Sequence, residues 1–188
     1  MKTVSPTARV IDAAAFAAHA HRNQRRKDAD QTPYINHPLA LLRILAVEAG
    51  VLDEDVLCAA ALHDYLEDCC GDESQPSVAE GCGIVRNRFG DTVLEYVVAV
   101  TDDKTLPKAE RKQKQIERAA EALEGAKLVK LADKISNLRD IVATPPADWS
   151  LERRQQYFDW AGAVIGQVRG VHAGLEALFD AEYAKRST

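Results

Sequence analysis

Four ionisable side chains crowd one short stretch of the chain: His63, Asp64, Glu67 and Asp68 in LHDYLEDC. On a helical wheel of about 100 degrees per residue they share an arc of roughly 140 degrees, with Ala60 in its middle. Ala59, Leu62 and Leu66 occupy the neighbouring arc and suit a core. The approach from Val56 to Leu62 carries no charge, so the helix reads as buried up to the point where the acids begin. Three carboxylates withdrawn together from water are unfavourable unless a cation holds them or some take up protons. A divalent metal meets that need, since imidazole with carboxylate is a recognised ligand mixture for first-row metals. An exposed helix end that presents HDYLED to water, with His63 incidental, meets the pattern as well.

Two other segments hold residues of the same types. TPYINHP places His37 in the first turn of a helix, where a side chain is held firmly. GAKLVKLADKISNLRD places Asp133 on a helix whose apolar stripe is Leu128, Leu131, Ile135, Leu138 and Val142. Asp133 falls opposite that stripe, beside Lys130 and Asn137. By the wheel alone it is a solvated acid.

The elements that must position these residues read as helices throughout. Residues 7–23 form a first helix with a small-residue face of Val10, Ala14, Ala17 and Ala18, and the polar tract Arg25 to Thr32 interrupts it. Asn36 caps a second helix, with Pro38 just inside, that runs to about Glu48 and stops at Gly50. A third starts after Asp53 and runs unbroken to about Cys69; GDESQPS is a loop. Helices follow at about 78–88 and 91–101, from Pro107 to about Leu123, and at about 126–143. Pro145 and Pro146 end the last of these, and Ser150 caps one final long helix. Gly162, Gly166, Gly170 and Gly174 lie along one edge of it, which implies close approach of a neighbour or a bend. No alternating strand pattern occurs. The expectation is an all-α, single-domain bundle of about eight helices over residues 1–188.

Composition narrows the class of function. The 188 residues are 46% hydrophobic and 28% charged, as befits a globular protein with a real core. A formal net charge of -5 recommends neither nucleic acid nor a membrane surface as partner. No run approaches the roughly 18 apolar residues of a membrane span, and the N-terminus lacks the order of a secretory signal. A cytoplasmic location is expected. Cys58, Cys69, Cys70 and Cys82 form no CxxC pair and read as reduced thiols.

The ordered set His37, His63-Asp64, Asp133 resembles the HD phosphohydrolase superfamily, in which such residues hold a divalent metal. The strings RRKD, TPYINHP, HDYLED, VTDDKTLPKAERK and GAKLVKLADKISNLRD are similar to the small alarmone hydrolases, most closely the metazoan SpoT homologue type. The similarity runs from about Ala13 to Ala163. It implies metal-dependent hydrolysis of guanosine tetra- or pentaphosphate, (p)ppGpp, at the 3′ position, with release of pyrophosphate and with Mn2+ as the metal. It makes His37, His63, Asp64 and Asp133 the ligands. Glu67 and Asp68 become the pair that positions and activates the attacking water, a role suited to carboxylates beside a metal. It places Arg26, Lys27, Lys108, Asn137 and Tyr157 around a small-molecule nucleotide, with Tyr34 near enough to stack on the base. No synthetase or regulatory domain is expected in the chain.

One departure stands out. Relative to the similar proteins, CCGDESQPSVAEGCG (69–83) carries an insertion of several residues, either a surface loop or a cover for the pocket that alters substrate choice. Two other functions fit the same residues: a phosphatase acting on the 2′-phosphate of NADPH, and a catalytically silent nucleotide-binding regulator.

Overall fold

The computed structural model describes residues 5–186, and the described residues are helical with no strand; one isolated bridge joins Arg25 and Pro33. In chain order the helices are α1 (Pro6–Ala20), α2 (Asn36–Leu42), α3 (Glu54–Leu62), α4 (Tyr65–Asp68), α5 (Val78–Phe89), α6 (Asp91–Val100), α7 (Lys108–Ala119), α8 (Glu124–Ala143), α9 (Leu151–Gly166) and α10 (Ala173–Tyr183). A π-helical segment, Arg43–Glu48, continues α2. The all-α expectation holds. The number of pieces exceeds eight because two of the expected helices break.

The first break falls at His63-Asp64. Asp53 caps α3 by accepting from the N–H groups of Asp55 and Val56, and Val56 to Leu62 are all buried, as their lack of charge implies. The helix then stops. Asp64 has φ -95 and ψ 0, in the sparsely populated bridge region, and α4 restarts at Tyr65. Adjacent side chains on a regular helix point about 100 degrees apart. The kink removes that constraint, so that His63 Nε2 and Asp64 Oδ2 come within 2.8 Å.

The second break divides the expected last helix. Chain reversal over residues 167–172 includes Gly170 at φ +92, a conformation that a side chain resists, and α10 packs back on α8. The four glycines therefore do not share one edge. Gly162 does mark a close approach, because a methyl there would meet Tyr183 of α10 at 2.9 Å. In α1 the buried face centres on Ala13 and Ala17, with Val10, Ala14 and Ala18 at its margins.

Helix α8 runs through the middle of the molecule, touching α2, α3, α6, α9 and α10. Leu128, Leu131, Ile135 and Leu138 are buried as the stripe requires, but so are Val129, Ala132, Lys130, Lys134 and Ser136. Its supposed solvent face looks into the space between α2 and the α3–α4 kink. That single fact moves Asp133 from the surface to the site.

Candidate metal centre and substrate cleft

Three ligand atoms, from His37, His63 and Asp64, lie within 4.8 Å of one another. His37 comes from the first turn of α2, and His63-Asp64 from the kink. Asp133 joins them from α8, its Oδ1 3.2 Å from His37 Nε2. All four side chains are buried or nearly so. The sequence set is thus brought to one point.

The second contacts of these residues decide which atoms face inward. His63 Nδ1 lies 2.9 Å from the Ala60 carbonyl, which only accepts, so Nδ1 carries a proton and Nε2 is the nitrogen turned to the centre. His63 Nε2 is buried with no hydrogen-bond partner of regular geometry, and Asp64 Oδ2 lies 2.8 Å from it. His37 Nδ1 is held by the Ser136 hydroxyl at 3.1 Å, a group that can donate or accept, and this turns its Nε2 toward the cluster. Tyr34 Oη donates to Asp64 Oδ2 at 2.6 Å. Asp133 accepts from Lys134 Nζ at 2.7 Å and from Asn137 Nδ2 at 2.6 Å. Imidazoles locked through one nitrogen and carboxylates oriented by outer partners are what a divalent cation requires. The residues fit a metal.

Electrostatics agree. Burial alone would depress His63, yet the charges of Asp64 and Asp133 override it and push the imidazole up to about 9. For His37 burial prevails and lowers it, with His63 adding to the effect. Burial favours a neutral Asp64, but His63 and His37 hold it well below the usual carboxylate range. The acid cluster demands positive charge, and with no cation bound it takes a proton on His63.

Glu67 and Asp68 stand at the edge of this cluster in different settings. Asp68 accepts from Gln24 Nε2 at 2.8 Å and from Lys104 Nζ at 2.6 Å. Glu67 has a weaker set, the Asp102 N–H at 3.2 Å and the Arg111 guanidinium at 3.9 Å. Burial, with Asp64, Asp102 and Asp68 nearby, pushes Glu67 up to about 7.

Two adjoining cavities meet at the cluster. The inner one, about 170 Å³, is lined by His37, His63, Asp64, Glu67, Asp133 and the buried Lys130 and Lys134, among others. The outer one, about 530 Å³, opens from it past Arg26, Tyr34, His37 and Asn137, which line both. Lys27 and Tyr157 also line the outer cavity, with Trp149 beside Tyr157 at a ring separation of 5.8 Å. Arg26 is fixed there by an ion pair with Asp140 and sits over the Tyr34 ring. Lys108 is exposed in the first turn of α7 and lines neither cavity.

Several residues in these contacts were not singled out from the sequence, namely Gln24, Ser136, Asp102 and Trp149. Ser136 and Asp102 lie within the strings GAKLVKLADKISNLRD and VTDDKTLPKAERK, whereas Gln24 and Trp149 fall outside the strings that carry the resemblance. Segment 69–83 does not cover the cleft. Cys70, Gly71, Asp72, Val78 and Cys82 line a separate cavity of about 610 Å³ that borders Glu67 and Asp68 from the other side. All four cysteines are free, and burial pushes Cys58 up to about 11 and Cys69 to about 12, which makes them poor nucleophiles.

The HD domain family matches residues 13–157. The chain is 48% identical over 182 residues to the guanosine-3′,5′-bis(diphosphate) 3′-pyrophosphohydrolase MESH1 of Mus musculus, covering 97% of each. It is 49% identical over 172 residues to the Homo sapiens protein of the same name, covering 92% of this chain and 91% of that one. A solved metazoan orthologue of SpoT that hydrolyses ppGpp superposes with a TM-score of 0.86 at 46% identity, covering 98% of both chains. The chain belongs to the HD domain family and, within it, to the group of the MESH1 proteins.

Proposed function

We propose that the protein hydrolyses (p)ppGpp at the 3′ position with a divalent metal, manganese by preference, held by His37, His63, Asp64 and Asp133. One observation carries the reading: two imidazole Nε2 atoms and two carboxylates, each fixed by an outer partner, converge in the inner of two adjoining cavities with basic and aromatic walls. The near full-length similarity to the MESH1 proteins supplies the substrate class.

The bound metal would lower the pKa of a water and polarise a phosphoryl oxygen. Around it, Glu67 accepts the water's proton and Asp68 orients the water. Water adds at the phosphorus next to the ribose 3′ oxygen, the bond between that oxygen and phosphorus breaks, and the oxygen takes up a proton as the 3′-hydroxyl, yielding pyrophosphate with GDP or GTP. Lys130 and Lys134 offset the phosphate charge in the inner cavity. Arg26, Lys27 and Asn137 hold the nucleotide in the outer one, between Tyr34 and Tyr157. A protein of net charge -5 thus meets a polyanion with locally concentrated cations.

The test is turnover of guanosine tetraphosphate by purified protein with manganese, scored by pyrophosphate and GDP. Asp64→Ala is expected to lose bound metal and turnover together, whereas Glu67→Ala keeps metal and loses turnover. Phosphate from NADPH with no pyrophosphate from the alarmone would overturn the substrate assignment.

A further inference from the structure

His21 is 2% exposed, lines neither cavity of the cleft, and yet touches residues that lead to both halves of the site. It caps the C-terminus of α1, its N–H bonded to the Ala17 carbonyl. Its Nδ1 lies 2.6 Å from Gln24 Oε1, and Gln24 Nε2 lies 2.8 Å from Asp68 Oδ2. Its ring stacks on Tyr34 at 4.9 Å and 26 degrees, and Tyr34 Oη donates to Asp64 Oδ2. Cys69 Sγ closes the remaining side, 3.4 and 3.8 Å from the two ring nitrogens.

The hydrogen-bond chain has one direction. Asp68 as a carboxylate only accepts, so the Gln24 amide must turn its NH2 toward it. That leaves the Gln24 carbonyl oxygen facing His21, and a 2.6 Å approach requires a proton on Nδ1. The backbone holds the same geometry, since Gln24 N–H bonds the His21 carbonyl and Tyr34 N–H bonds the Gln24 carbonyl. A buried histidine serving only the core would not need a donor aimed at a glutamine that itself reaches the cleft.

We propose that His21 and Gln24 are positioning residues: through Gln24 the imidazole fixes the Asp68 carboxylate, and through its face it seats Tyr34 on Asp64. The proposal rests on the roles given above to Asp68 and Asp64. It makes the two arms of His21 separable. A phenylalanine keeps the stacking face and lacks the donor. An asparagine keeps a donor near the Nδ1 position and lacks the face.

The experiment uses the manganese-loaded enzyme with guanosine tetraphosphate, and follows kcat, KM, bound manganese and melting temperature. Gln24→Met and His21→Phe are expected to lower kcat about 10- to 100-fold, the scale of lost outer-shell support, with KM and bound manganese unchanged. His21→Asn is expected to recover kcat to within about threefold at saturating manganese while binding the metal more weakly, because only the Tyr34 arm is lost. In an Asp68→Asn background, Gln24→Met should cost nothing further, as residues acting through one group are not additive. Wild-type kcat in Gln24→Met, an equal further loss in the Asp68→Asn background, or parallel defects in His21→Phe and His21→Asn would each overturn the proposal. An inactive Asp68→Asn beside a fully active Gln24→Met would sink the positioning role alone. A fully active Asp68→Asn would sink the assignment of Asp68 and the positioning role with it.

Discussion

Glu67→Gln should make the metal-free protein more stable while nearly abolishing turnover. Burial raises the Glu67 carboxyl from an ordinary 4.5 to about 7, so the folded state holds its proton more tightly than the unfolded chain does. For a carboxyl shifted in this direction the folding penalty is absent below about pH 4.5, grows between the two values, and is fully present above about pH 7. A shift from 4.5 to about 7 corresponds to about 3 kcal/mol at about 1.4 kcal/mol per unit. The side chain retains 21% exposure, and solvent screening reduces the figure to about 2 kcal/mol. Glutamine is neutral at every pH, keeps a carbonyl for the Asp102 N–H, and escapes the penalty.

For a domain of this size about 2 kcal/mol moves the melting temperature by roughly 4 to 8 °C. The measurement is thermal unfolding in chelator at pH 4.5 and pH 8, wild type against Glu67→Gln. The two should melt together at the lower pH, with the variant higher by that amount at pH 8. Added manganese should narrow the gap, since a nearby dication relieves the ionised carboxylate. Turnover of the variant should fall about 10²- to 10⁴-fold, the range for a lost general base. A variant no more stable than wild type at pH 8 would refute the burial argument, and one retaining a tenth of the activity would refute the role.

Metal affinity should fall about tenfold per pH unit between pH 9 and 7, because manganese must displace the proton held by His63, whose folded value is about 9; metal titrations across that range would register one proton released. The same proton stabilises the metal-free fold below its ordinary 6.5, and that gain disappears as pH rises through about 9. Ser136→Ala removes the partner of His37 Nδ1 and is expected to weaken manganese binding about 10- to 100-fold with kcat preserved at saturating metal, as read by metal titration of activity. Gly125→Ala forces a methyl to within 2.4 Å of the Tyr96 ring; it should cost about 1 to 3 kcal/mol of stability, measured by denaturant unfolding, with kinetics unchanged.

How much of this was legible depended on whether the signal was local. The uncharged run Val56 to Leu62 announced a buried helix, and the acids after it announced a charged pocket, because burial cost is written in residue type. The kink at Asp64 was not, since one bridge-region residue leaves no trace in hydrophobic periodicity. Without the kink, a wheel separates His63 from Asp64 when their ligand atoms in fact converge. Asp133 failed for a different reason. A wheel ranks faces by polarity, and on α8 the polar face is buried as well, turned toward α2 and the kink. Only the resemblance to HD phosphohydrolases grouped it with His37, His63 and Asp64, and its Oδ1 lies 3.2 Å from His37 Nε2. The glycine row at 162 to 174 misled because a regular spacing of four looks helical even when Gly166 is a helix end and Gly170 a left-handed turn.

The contrast between Glu67 and Asp68 bears on which acid moves the proton. Both follow the kink and border the rear cavity, but Glu67 lines the inner cavity and Asp68 the outer one. Asp68 is held by a lysine and a glutamine at hydrogen-bond distance, one on each oxygen. A carboxylate so engaged is oriented, and a proton arriving on it would have to displace one of these donors. Glu67 keeps only a long backbone contact and an arginine at 3.9 Å, and its proton affinity is raised into the physiological range by burial among other acids. A general base works best when its pKa lies near the working pH. In the proposed mechanism the two acids thus divide the work, Glu67 taking the proton and Asp68 aiming the water, and the His21–Gln24 chain falls on the acid whose proposed contribution is geometric. A residue that must hold a direction needs rigid partners, and a residue that must change charge needs to be free of them.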